Sequence, residues 1–133
     1  MTLQAPRGGV QPPDTLALDG GETLFVTPLA HEVTRRYGDE YPDSEAQYGP
    51  AWRDWCVHDT RFLIGWAALG DDVLTRNVRW LADVLAARKF PLDRLARTLD
   101  LAADAVAEQG ADEIAARLRA ATRTTGLSSG RRR

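Results

Sequence analysis

From Pro50 to Ala121 the apolar side chains recur every three or four residues, and nowhere do they alternate with the period of two that a half-buried strand needs. That pattern predicts an all-α fold. The clearest segment runs from about Pro50, a residue suited to a first helical turn, to Leu69, with Gly70 placed to close it in the left-handed conformation. The next spans Val73 to about Lys89, with Leu74, Val78, Leu81 and Leu85 on one stripe and Trp80 and Val84 beside it. Pro91 breaks the chain there. Leu92, Leu95, Leu99, Ala102 and Val106 mark a further helix ended by Gly110, and Ile114, Leu118 and Ala121 mark a short last one. Upstream, Leu24, Phe25, Leu29 and Val33 lie near helical spacing but are interrupted by Pro28, so a helix is expected after that proline and is expected to stop by Gly38. The sum is a bundle of four to five helices, without an internal repeat or a long heptad run.

Length and charge divide the chain further. A chain of 133 residues, 44% of them hydrophobic, buries enough surface for one core and leaves no room for a second catalytic domain. The lone cysteine, Cys56, excludes an intramolecular disulfide framework. Residues 1–21 hold Pro6, Pro12, Pro13 and four glycines among scattered apolar side chains, and are read as a flexible arm ahead of a helical domain at 22–122. Met1 to Gly21 also lacks the basic start and apolar stretch of a signal peptide, and no apolar run approaches the roughly 18 residues of a membrane span, so a cytoplasmic location is expected. The last twenty residues, Ile114 to Arg133, carry +6 and no acid; the chain totals −2, so the rest carries −8. The basic tail, 123–133, serves either solubility or an anionic partner such as nucleic acid or a lipid surface.

On a helical projection of residues 52–69, the side chains of Trp52, Trp55, Phe62, Leu63, Trp66 and Leu69 fall within an arc of about 140°, with Cys56 at one edge and His58 just beyond the other. Asp59 lies inside that arc. A carboxylate in a Trp/Phe/Leu stripe must be paired, be neutralised by a raised pKa, or face a ligand whose polar groups it satisfies. Pairing points to Arg76 or Arg79 on the following helix. Cys56 sits one turn before Asp59, so its sulfur looks into the same space, as a covalent attachment point or as a small buried hydrophobe. A carboxylate neighbour raises a thiol pKa, which speaks against a catalytic cysteine. Metal ligation has little pattern behind it, with no CxxC and no histidine pair at i, i+4, although one histidine on a helix suffices for haem. All four tryptophans lie between 52 and 80, as core or as the walls of an aromatic cleft for a conjugated ligand.

The run Cys56-Val57-His58-Asp59, then Phe62-Leu63, then Ala67-Ala68-Leu69-Gly70-Asp71-Asp72-Val73-Leu74, with Pro91 reached after one further helix, resembles the middle of the phycobiliproteins over about residues 48 to 106. Those are globin-like proteins that carry linear tetrapyrroles. The resemblance implies a globin-like, phycobiliprotein-like bundle in which the family's thioether-forming cysteine corresponds to Cys56. The family's aspartate, which accepts hydrogen bonds from the pyrrole nitrogens, corresponds to Asp59. His58 replaces the arginine that holds a bilin propionate in the family, and the helices used for light-harvesting assembly are barely present. The chain is therefore more similar to the phycobiliprotein-related globins of non-photosynthetic bacteria than to an antenna protein.

The expectation is a non-catalytic, tetrapyrrole-binding domain, chromophore-carrying or sensory, with bilin as the first ligand and haem as the second. Its cleft would lie between the helices at 50 to 70 and 73 to 89. Trp52, Trp55, Phe62 and Trp66 would stack and exclude water, Asp59 would anchor ring nitrogens, Cys56 would offer a covalent bond, and His58 would flank the site. The rival is a cofactor-free interaction or regulatory module that meets a partner protein or a second copy of itself. A third reading, a helix-turn-helix over Pro91 to Gln109, sets Asp93, Asp100, Asp104 and Glu108 against the phosphates it would need to approach, leaving nucleic acid to the Arg-rich tail.

Overall fold

The longest helix among the described residues, Trp52–Leu69, is the one around which the others assemble. The computed structural model describes residues 12–127. In chain order its elements are β1 (Thr15–Ala17), β2 (Thr23–Phe25), α1 (Val26–Glu40), α2 (Ser44–Tyr48), α3 (Trp52–Leu69), α4 (Asp71–Ala87), α5 (Leu92–Glu108) and α6 (Asp112–Thr124). The fold is mostly helical, with six helices among the described residues, where four or five were expected, and one small antiparallel hairpin. No helix among the described residues is long and apolar enough to cross a membrane.

The second half of α3 is buried on nearly every side. Thr60, Phe62, Leu63, Ile64, Gly65, Trp66 and Ala67 all lie in the core, and the helix packs against α1, α4, α5 and α6. A helix apolar all round belongs in the middle of a domain, so a single stripe describes it incompletely. Leu69, the last residue of the expected stripe, is 71% exposed, because the helix leaves the core as it ends. The other helices are amphipathic and close over α3 with Val33 from α1, Leu81 from α4, Leu99 from α5 and Leu118 from α6.

Several expectations are corrected. Residues 15–17 pair with 23–25, Leu16 opposite Leu24, so part of the presumed flexible arm is folded. Two contacts hold it: Pro13 sits so close to Gly65 of α3 that an added Cβ would lie 2.8 Å from the proline ring, and Arg61 of α3 donates to Asp14 (2.7 Å) and to the Pro12 carbonyl (3.2 Å). Strands of three residues are too short to show a period in sequence. Helix α1 starts before Pro28, since a proline in a first turn lacks only an N–H that would be unpaired anyway. It also runs past Gly38, whose place is set by packing, an added Cβ there meeting Trp52 at 3.0 Å.

The short helix α2 was not foreseen, α4 begins at Asp71 rather than Val73, and α6 runs for 13 residues. Gly70 is not a left-handed cap. At φ 137° and ψ 168° it occupies a region open in practice only to glycine, and it turns α3 straight into α4, whose first turn opens with Asp71 and Asp72 at the positive end of the helix dipole.

Residues 92–108 form one unbroken helix, so the turn that a helix-turn-helix requires inside 91–109 does not exist. Two arginines of the basic C-terminal stretch are engaged within the fold: Arg117 donates to the Ala67 carbonyl (2.9 Å) and Arg119 to Asp104 (2.9 Å). The expectations for 1–11 and 128–133 lie outside the described residues. Between α1 and α5, Arg36 meets Glu108 (2.7 Å) and Arg97 meets Glu40 (2.8 Å); pairs with such partly exposed partners set register more than they add stability.

Ile64 lies off the projected stripe yet is fully buried, whereas Leu69 lies on it and is exposed. Ile64→Ala is expected to cost about 2–5 kcal/mol in urea unfolding and Leu69→Ala no more than about 0.5 kcal/mol.

Candidate functional site

The first half of α3 is not surrounded as the second half is, and a cavity of about 150 Å³ lies against it. Trp52, Trp55, Cys56 and Asp59 come from α3, on the three- and four-residue spacing that keeps side chains on one face. Tyr37 enters from α1 and Ser44 and Tyr48 from α2. The far side is built by Leu85 and Arg88 at the end of α4, Phe90 in the following link, and Leu95 and Thr98 of α5. Tyr48 and Phe90 close one wall with ring centroids 5.3 Å apart, and Tyr37 approaches Trp52 at 5.8 Å.

The polar atoms of this cavity are few and incompletely satisfied. Asp59 is half-buried as a residue, but its Oδ1 is out of contact with solvent and has no hydrogen-bond partner. Burial alone pushes its carboxyl up to about 8. The sequence offered Arg76 or Arg79 as an ion-pair partner. Neither fills that role: Arg79 donates to the Thr124 carbonyl (3.2 Å), and Arg76 lines a separate groove with residues of α6. The indole N–H of Trp52, a residue 6% exposed, is likewise buried without a partner.

Cys56 is held protonated. Its thiol is pushed up to about 11 by burial, with the neighbouring Asp59 adding to the effect and Thr34 and Thr60 opposing it. Burial also raises the Tyr37 phenol well above its ordinary value, although Arg94 pulls the other way. Arg94 stacks over Tyr41 (4.3 Å) and reaches Tyr48 (5.9 Å) while pairing with Asp43 (3.1 Å), which ties the start of α5 to the aromatic side of the cavity.

Of the seven residues singled out from sequence, the structure brings four to the cavity: Trp52, Trp55, Cys56 and Asp59. Phe62 and Trp66 do not line it. They pack on each other in the core at 5.5 Å, and His58 sets its ring edge-on to Phe62 at 4.9 Å, also away from the cavity. His31 is exposed on α1. No histidine therefore lines the cavity to ligate a haem iron there. No group of three or more His, Cys, Asp or Glu side chains able to hold a metal ion occurs among the described residues.

Sequence reasoning missed Tyr37, Tyr48, Phe90, Arg88, Leu95 and Thr98. Tyr48 and Phe90 stand beside Pro50 and Pro91 at chain turns, where no periodicity assigns a side chain to a face. Their aromaticity was the one signal available. Comparison with known proteins returns no match to this chain among protein-family models, curated proteins or solved structures.

A carboxyl whose pKa rises on folding binds its proton more tightly in the folded state, so its contribution to stability is fully present below its unfolded value of 3.8 and is lost as pH rises to about 8. The slope approaches about 1.4 kcal/mol per pH unit for one group. Asp59→Asn is expected to melt above the parent protein at pH 8, with the difference shrinking toward pH 4 in a calorimetric pH series.

Proposed function

We propose that this chain is a non-catalytic, small-molecule-binding helical domain whose ligand enters the cavity on the first half of α3. The observation that carries the reading is the Asp59 carboxyl, buried against apolar walls with Oδ1 unpartnered, in a place where a ligand's polar group would satisfy it. Burial pushes the Cys56 thiol up to about 11, so it is protonated at neutral pH, which favours a binding role over nucleophilic catalysis. A sensory or carrier role in the cytoplasm belongs to the same proposal.

The relation to the phycobiliprotein-related globins is supported at two positions, because Cys56 and Asp59 do face one cavity, one helical turn apart. Size separates the possible ligands. Pockets for drug-sized molecules run to about 300–1,000 Å³, and a cavity of about 150 Å³ is the size that accepts a single ring. A bilin is the larger ligand for the same place, with Asp59 on its pyrrole nitrogens and Cys56 within reach of a covalent bond. It requires α2 and the link at Phe90 to move off the cavity. The reading therefore commits to a compact ligand.

Tryptophan fluorescence and melting temperature report on the site, since Trp52 and Trp55 line it. Toluene, a single ring that does not emit where tryptophan does, is expected to shift the emission and raise the melting temperature, and the cavity-filling change Leu85→Phe is expected to abolish both effects. A visible band formed with biliverdin and shifted in Asp59→Asn would instead assign the site to the larger ligand. If neither probe binds and Leu85→Phe is more stable than the parent, the cavity is a packing gap and the chain is better read as an interaction module.

A further inference from the structure

We propose that the cavity on α3 recognises a compact organic ammonium, an apolar or single-ring body bearing one protonated amine, with Asp59 as its counter-ion and the surrounding aromatic rings as its cage. This rests on the reading of the cavity as a ligand site and names the chemistry of the ligand.

Three features of the site converge on that class. The first is charge: among the described residues Asp59 is the one acidic side chain lining the cavity, its Oδ1 has no partner, and none of the described ion pairs includes it. A buried carboxylate without a cation is destabilising, and a ligand that brings the cation removes that cost. The second is the wall. Tyr37, Tyr48, Trp52, Trp55 and Phe90 all contribute to the lining, and aromatic faces attract cations most strongly where water is excluded. The third is shape: Leu63, Leu85 and Leu95 supply an apolar surface for the body of the ligand, in a volume suited to one ring.

The other charged and titratable groups around Asp59 leave this assignment intact. Cys56 on α3 and Tyr37 on α1 are both held protonated well above neutral pH. Tyr48 faces the cavity from α2, and α5 lines it with the uncharged Leu95 and Thr98, while the Arg94 guanidinium of α5, outside the lining, is paired with Asp43 (3.1 Å) and stacked over Tyr41 (4.3 Å). Arg88, at the end of α4, is the one basic residue of the lining among the described residues, and it is exposed, so water and salt screen its repulsion of a bound cation.

The empty site holds the Asp59 proton up to about pH 8. An ammonium therefore binds at neutral pH by forming a carboxylate–ammonium pair while one proton leaves Asp59 for solvent, the amine keeping its own. Affinity then rises with pH toward 8 by about tenfold per unit.

Calorimetric titration of the full chain with benzylamine, benzyl alcohol and toluene at pH 6, 7 and 8 tests this. Benzylamine is expected to bind at least about tenfold more tightly than benzyl alcohol at pH 8, the difference a charge-assisted hydrogen bond makes. Its affinity is expected to fall toward pH 6, with release of close to one proton read from buffers of different ionisation enthalpy. Asp59→Asn is expected to lose the preference for the amine and to keep toluene binding. If benzyl alcohol or toluene binds as tightly as benzylamine, or if benzylamine releases no proton at pH 7, the ammonium assignment is overturned while the cavity stands as a ligand site. Binding of none of the three, at any pH, overturns both readings. The proton release is measured on the unmodified chain, so the test holds even if Asp59→Asn does not fold.

Discussion

The burial of α3 on nearly every side between Thr60 and Ala67 is the constraint from which the rest of the architecture follows. Seven of the eight residues from Thr60 to Ala67 lie in the core, and one flat partner surface cannot cover a helix that is apolar all round. Helices α1, α4, α5 and α6 therefore pack around it, each with its own stripe. Two glycines make the close approaches possible. Gly65 lets Pro13 lie against α3, and Gly38 lets α1 come down on Trp52.

The candidate site exists because that enclosure is incomplete at the other end. Around Trp52 to Asp59 the neighbours are the short α2, the end of α4 and the Phe90 link, and these close over α3 without filling the space above it. Apolar walls then do two things to the groups they surround. They raise the proton affinity of Asp59 and Cys56 by denying both anions their hydration, and they leave Asp59 Oδ1 and the Trp52 indole N–H with nothing to bond. The same desolvation that destabilises the empty site near neutral pH gives a complementary ligand something to recover. A binding pocket that lowers the stability of its own domain is a familiar compromise between stability and function.

Much of the helical part was legible in the chain. Periodicity located α3, α4 and α5 within a few residues, and the projection of 52–69 singled out Trp52, Trp55, Cys56 and Asp59, which line one cavity. It failed where its assumption of a single buried face failed. Phe62 and Trp66 share the stripe with Trp55, but a turn or two further on the neighbours differ, and they serve the core instead. Pro28 and Gly38 were read as breakers by their intrinsic preferences, whereas the first fits an unpaired first turn and the second a close contact with an indole. The strands at 15–17 and 23–25 are too short to carry a pattern and are held by contacts to Gly65 and Arg61 some fifty residues away.

By itself, then, the sequence determined that the domain is helical, where its main helices lie, and that a carboxyl and a thiol share one face of an aromatic segment. These are local properties, set by spacing along the chain and by the residue types at each position. Only the tertiary structure decided that Asp59 would be left without an ion-pair partner, that Tyr37, Tyr48 and Phe90 would join it, and that the enclosed space would be small. Those outcomes depend on how far α2, the end of α4 and the start of α5 stand from α3. That distance is fixed by packing among residues remote in sequence, which no spacing along the chain records.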